Sequence, residues 1–103
     1  MELYDQAIKA YKKATEAKPE QLPAWQGIST IYEKKKDLKK EDLEDLAVAY
    51  HKILKIFEAT DDMKKYYLTS EKLVILYYEK LGHVKDAIKV IQDRVQVRNI
   101  QIH

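Results

Sequence analysis

Apolar residues recur at every third or fourth position along nearly the whole chain, the period of helices that each bury one face. Leu3, Tyr4, Ala7, Ile8, Tyr11 and Ala14 share the first stripe, and Pro19 follows where a helix should already have stopped. Pro23 suits the first turn of a second helix, because its missing N–H would have no intrahelical partner there. Trp25, Ile28 and Tyr32 make that helix's inner stripe, which fades in Lys34-Lys35-Lys36-Asp37. Leu43, Leu46, Ala47, Tyr50, Ile53, Leu54 and Phe57 predict a third helix. Thr60, Asp61 and Asp62 offer N-caps for a fourth, carrying Met63, Tyr66, Tyr67, Leu73, Val74, Tyr77, Tyr78 and Leu81. Leu68, Ile75 and Leu76 lie off its main stripe, as expected of a helix sandwiched between neighbours. Gly82 suits the left-handed position that ends it. A fifth helix is predicted from about Val84, with Ala87, Ile88, Ile91 and Val95 inside. Asn99 to His103 shows no helical period and is expected to fray.

Composition narrows the architecture. Only two glycines and two prolines occur in 103 residues, too few for the turns of a sandwich or barrel. Hydrophobic residues at 46% are enough for one core, so residues 1–103 read as a single all-α domain without a linker. Five helices joined by short connections must fold back antiparallel. Periodicity alone does not say whether they close into a bundle or stack in a line.

The order of small and aromatic residues favours a line. Ala7, Tyr11 and Pro19 follow the A-x-x-x-F…P part of the tetratricopeptide pattern, and Trp25-x-x-Ile28-Ser29-x-x-Tyr32 opens the next unit. Tyr78, Gly82 and Ala87 stand at matching mutual spacing in a third unit, while Glu71 takes the place expected of its aromatic residue. Ala7, Ala14 and Ala87 would let paired helices approach, and Tyr11, Trp25, Tyr32, Tyr50 and Tyr78 would fill the space opposite. The spacing from Tyr11 to Tyr50 exceeds the regular repeat of about 34 residues. The excess is placed in the loop Lys36–Lys40 and in lengthened helices. The chain thus resembles the tetratricopeptide-repeat family, which implies an α-solenoid of two to three antiparallel hairpins.

AYKKATEAKPEQLPAWQGISTIYEK, Ala10 to Lys34, resembles more narrowly the tetratricopeptide scaffold subunits of superkiller complexes, and so do LAVAYHKILKIFE and KLVILYYEK. That resemblance implies a fragment of a longer array with a non-catalytic role in a cytoplasmic, and alternatively also nuclear, assembly. An RNA helicase and WD-repeat subunits would be its protein partners, and exosome-assisted 3′→5′ decay of messenger RNA its process. A first helix that matches the second half of a hairpin leaves an apolar end, so the isolated fragment is expected to self-associate. The alternatives are a peptide-binding tetratricopeptide module of an unrelated protein and a helical repeat that contacts RNA. In such arrays the first helix of each hairpin lines a concave groove. The resemblance therefore implies partner contacts at Gln26, Thr30, Glu33 and Lys34, then at Lys72, Leu76 and Lys80.

Charge and candidate chemistry add mostly exclusions. The chain has no cysteine, which rules out thiolate metal sites and thiol nucleophiles. His51, His83 and His103 form no metal-ligand spacing, Ser29 and Ser70 lack a nucleophile elbow, and no carboxylate pair is set in a recognisable pocket. No catalytic residue, metal or cofactor is expected. No apolar run is long enough to span a membrane. Nineteen basic residues against 17 acidic give +2, and all the basic ones except Arg94 and Arg98 are lysine, the poorer phosphate fork. The Lys34–Lys40 run is followed at once by Glu41, Asp42, Glu44 and Asp45 and carries no interleaved aromatic residue, so it reads as a solvated loop. Gly27 inside the second helix costs about 1 kcal/mol relative to alanine, which points either to close approach of another backbone or to a packing need of a neighbouring helix.

Overall fold

In the computed structural model, which describes residues 2–102 and the side chains of 3–97, the helical period becomes five helices. They are α1 (Glu2–Ala17), α2 (Leu22–Lys34), α3 (Lys40–Ala59), α4 (Met63–Ile75) and α5 (Val84–Ile102), with a π-helical segment Leu76–Leu81 continuing α4. The ends follow local chemistry. Pro23 occupies the first turn of α2. At α3 the Asp42 side chain reaches back to the Lys39 N–H (3.1 Å). Asp62 caps α4 by accepting from the Lys65 N–H. Asp61 serves a different purpose from the one its sequence position suggests. With φ 60° it takes the left-handed turn that ends α3, a conformation aspartate tolerates better than most residues. Gly82 does the same after the π segment, at φ 69°.

Successive helices pack on one another: α1 on α2, α2 on α3, α3 on α4 and α4 on α5. The first and last helices form no substantial interface, and the body measures 47 × 30 × 18 Å. This is a line of antiparallel rods, the all-α tetratricopeptide-like arrangement. The core runs along the line through Ile28, Tyr32, Leu46, Ala49, Tyr50, Phe57, Tyr66, Leu73 and Val90.

Of the expected core positions, Ile28, Tyr32, Tyr50 and Ala87 are buried, while Ala7, Ala14 and Trp25 are half-buried. The Trp25 indole N–H donates to the Pro19 carbonyl (2.7 Å), so the ring staples the α1–α2 turn. Tyr11 is partly exposed, but its ring lies over Gly27: a Cβ there would sit 2.5 Å from the ring. Of the two readings of Gly27, packing by a neighbouring helix holds: the approach is made by an aromatic side chain of α1 and not by a backbone. Pro19 lies exposed in its turn.

Three expectations fail. Tyr78 is 62% exposed and is not a core residue. The π turn directs its neighbour Tyr77 inward instead, to His51 on α3 (2.8 Å). The third unit carries its aromatic and small residues earlier, at Tyr66 and Ser70, both buried. Tyr66, Ser70 and Leu73 repeat the spacing of Trp25, Ser29 and Tyr32. On α5, Val90 and Val97 join Ala87 inside, whereas Val84, Ile88, Ile91 and Val95 form an exposed stripe. The helix is turned away from the face that hydropathy favours, because α4 covers only the Ala87 side. Finally, Asn99–Ile102 continues α5 as helix, and His103 lies outside the described residues.

Gly27→Ala should destabilise the protein by about 1–2 kcal/mol while Tyr11 is present, through overpacking. In a Tyr11→Ala background the same change should stabilise by roughly 0.5–1 kcal/mol, the helix propensity gained. Chemical denaturation of the four proteins reads this sign reversal. Leu73→Ala, at a fully buried position, should cost about 2–5 kcal/mol in the same assay.

Candidate protein-interaction groove

Because each helix meets mainly its sequence neighbours, α2 and α4 stand apart across a groove floored by α3. One charged link spans it. Lys72 Nζ of α4 lies 3.3 Å from Glu33 Oε2 of α2, and the Tyr50 hydroxyl rising from α3 donates to the same carboxylate oxygen. Burial, then that hydrogen bond and the Glu33 charge, push the Tyr50 phenol well above its ordinary pKa, so it remains a donor at any physiological pH. This bar divides the groove into two cavities.

The larger, about 560 Å³, opens between the C-terminal end of α2, the α2–α3 loop, the start of α3 and the end of α4. Leu38, Leu43, Leu46 and Leu76 give it apolar walls, and Lys35, Lys36, Lys72 and Lys80 stand about it. The other, about 390 Å³, is more polar and holds Gln26, Thr30 and Thr69 above Ile53 and Phe57. Of the positions expected to line a concave face, Gln26, Thr30, Glu33 and Lys72 meet in the polar cavity. Glu33, Lys72, Leu76 and Lys80 meet in the apolar one. Lys34 lies exposed in the last turn of α2 and lines neither. Sequence reasoning passed over Leu38, Leu43 and Ile75. The one available signal for Leu38 was an isolated leucine inside a charged run.

Polar links elsewhere hold the helices in register. Asp45 accepts at a single oxygen from Lys12 Nζ (2.7 Å) and the Tyr32 hydroxyl (3.1 Å), tying α1, α2 and α3 together. Burial first, and Asp45 second, raise the Tyr32 pKa. Lys35 reaches Asp5 (3.3 Å), so part of the lysine run is spent within the fold. Among the described residues, which include His51 and His83, no group of three potential metal ligands exists. No described helix is long and apolar enough to cross a membrane.

No protein-family model matches the chain, and neither does any solved structure. Sequence relatives do. The chain is 42% identical over 87 residues to human superkiller complex protein 3, and the mouse protein of the same name matches equally. It is also 42% identical over 89 residues to tetratricopeptide repeat protein 37 of Xenopus laevis. Each match covers 84% of the chain and 5% of the relative, so the chain spans a small part of the length of these proteins.

His51 supplies a pH prediction. Burial lowers its pKa against the opposing pull of Asp86 and Asp93, with a smaller lowering from Lys55. The unfolded ring, titrating near its ordinary pKa of about 6.5, takes up the proton first. The His51 contribution to stability is therefore complete above that pH and is lost as pH falls toward the folded value. Tm should drop between pH 7.5 and 5.5, and His51→Gln should show a shallower drop in thermal unfolding followed by circular dichroism.

Proposed function

We propose that this chain, which resembles a segment of a tetratricopeptide-repeat component of the superkiller complex, is a non-catalytic scaffold module of a cytoplasmic RNA-decay assembly. The observation that carries this reading is 42% identity over 84% of the chain to proteins named for that complex and that repeat. The line of rods supports it. Antiparallel helices packed side by side in a line present long faces, and the open groove between α2 and α4 is a surface for proteins. The partners are the helicase and WD-repeat subunits implied by the resemblance, and the process is exosome-assisted 3′→5′ decay. RNA is handled by the assembly and not by this chain. In the lysine run that would have to bind it, Lys35 pairs with Asp5, and no aromatic residue interleaves the run to stack bases.

Affinity purification of the tagged protein from its own cells, followed by mass spectrometry, should recover the helicase and WD-repeat subunits of a superkiller complex together and in comparable amounts. Recovery of a soluble, helical bait without either subunit would overturn the assignment.

A further inference from the structure

We propose that the face opposite the groove binds a basic segment of a partner protein, which inserts one arginine side chain between α3 and α5. This goes beyond the scaffold reading by adding a second docking face, and rests on it for the occupant being a protein. α3 and α5 form no substantial interface with one another, and both pack on α4, which floors the space between them. That space is a cavity of about 340 Å³, room for one long side chain. Leu54 of α3 and Val90 and Val97 of α5, all buried, give it apolar walls, and Glu58 and Asp93 bring a carboxylate from each side. Its floor carries an unspent polar group. Among the described residues three tyrosines are buried, Tyr32, Tyr50 and Tyr66. Tyr32 and Tyr50 commit their hydroxyls to Asp45 and Glu33. The Tyr66 hydroxyl, on a residue only 4% exposed, has no hydrogen-bond partner among the described residues. No fully buried side-chain polar atom among them lacks a partner, so this hydroxyl opens into the cavity that Tyr66 lines. The packed ring holds it in place for an incoming group.

Charge complementarity identifies that group as a cation. Burial first, then Glu58 and Asp93, raise the Tyr66 pKa, against a smaller lowering from Arg94. The same order of charges holds at His51 on the rim, where Asp86 and Asp93 act more strongly than Lys55. Both groups therefore sense a net negative potential, although Lys55 also lines the cavity. Glu58 has no cation within 4 Å among the described residues. Asp93 gives one oxygen to Lys89 of its own helix at 2.9 Å, an exposed pair, and its other oxygen is unpaired among the described residues. An arginine answers all of these features. Its guanidinium carries several N–H donors in one plane and no acceptor, which suits Glu58, Asp93 and the Tyr66 hydroxyl, and its aliphatic stem covers Leu54, Val90 and Val97. Lysine, a strongly hydrated point charge, gains less on leaving water. A phosphate backbone is repelled by the same potential, so the occupant is a protein and not a nucleic acid.

The test is a nuclear magnetic resonance titration of the backbone amides of the 103-residue chain with three acetylated, amidated peptides. They are Ala-Leu-Arg-Leu-Ala and its counterparts with lysine or citrulline at the centre. The arginine peptide should give saturable shifts centred on Glu58, Tyr66 and Asp93, and its binding should weaken with added salt. Citrulline keeps the shape of arginine and loses the charge, so its peptide should bind roughly tenfold more weakly or worse, and the lysine peptide several-fold more weakly. Glu58→Gln/Asp93→Asn, at exposed positions, should cost the arginine peptide roughly tenfold in affinity. Tyr66→Phe should cost several-fold with Tm unchanged, because the hydroxyl it removes holds nothing in the fold. Tyr50→Phe, which removes a committed hydroxyl, should lower Tm. Absence of saturable shifts, equal binding of the citrulline or the lysine peptide, or shifts centred in the α2–α4 groove would overturn the proposal. So would binding unaffected by these cavity variants, or a fall in Tm of Tyr66→Phe equal to that of Tyr50→Phe. Arginine-peptide binding by a protein whose purification recovers no superkiller subunit removes the scaffold assignment alone. Recovery of those subunits without peptide binding removes the arginine site alone.

Discussion

Every helix in this fold has to be held by its immediate neighbours, because there is no shared centre to which all five contribute. In a closed bundle one poor contact is diluted among several partners. In a line, what lies on either side of two rods is joined mainly through the interface between them. Size matching at each interface therefore carries the structure. The Tyr11 ring occupies the space left by the missing side chain of Gly27. Farther along, Ala24, Ser29, Ala47, Ala49, Ser70 and Ala87 are all buried, small residues that let rods approach closely. The serine and threonine hydroxyls among the buried residues ask nothing of the neighbouring helix. Thr15, Ser29 and Ser70 each donate to a carbonyl three residues back in their own helix, at 2.7, 3.0 and 2.8 Å. Such a residue keeps the volume of a small side chain without leaving a polar atom unpaired.

The same constraint explains why extra length produces a cavity and not a loose end. The added residues after α2 cannot fold into a central core, so Leu38 leans over the flank of α3. The added residues of α4 extend it past the end of α2, and the π segment takes up the mismatch. Tyr77 holds that segment at three points. Its carbonyl accepts from the N–H groups of Gly82 and His83, its hydroxyl meets His51, and its ring stacks on His83 with centroids 6.1 Å apart. A π turn is a costly conformation that persists where its surroundings fix it. Here, turning Tyr77 toward α3 is what leaves Tyr78 in solvent.

Much of this was legible in the residues. Helix positions followed from the apolar period, from Pro23 and from Gly82, since those signals are local. The repeat was legible where its residues conform, from Ala7 to Tyr32. In the later part it was hidden by substitution. Tyr66 and Ser70 stand in for the tryptophan and the glycine of the pattern, and Leu73 stands in for its tyrosine. Matching on identity pointed to Tyr78, whereas matching on size would have pointed to Tyr66. The face of α5 was misread for a different reason. Ile88, Ile91 and Val95 are as apolar as any core stripe, and only the arrangement of α4 shows that Ala87, Val90 and Val97 are the side it covers. The groove was legible in part. Glu33, Lys72 and Lys80 could be placed on it from the repeat, but the meeting of Glu33 with Tyr50 depends on how far α3 rises between its neighbours.

The polar links across the helices set rotation more than they supply stability. Lys72–Glu33 and Lys12–Asp45 are half-exposed pairs of the kind worth about 0–1 kcal/mol each. What distinguishes them is a buried tyrosine beneath each: Tyr50 under Glu33 and Tyr32 under Asp45. A phenol whose ring is packed in the core can place its hydroxyl at only one height on the surface. Each carboxylate is thereby fixed to the core by a short, stiff connection, and the flexible lysine comes to it. Glu33 and Asp45 project from different helices, α2 and α3, and each is bound to a tyrosine of the other helix. The two bonds cross between the same pair of rods in opposite directions, so α2 cannot turn on α3 without breaking at least one of them. That reciprocal pinning keeps the wall of the groove in place while its far side, α4, is joined to α2 through a lysine alone.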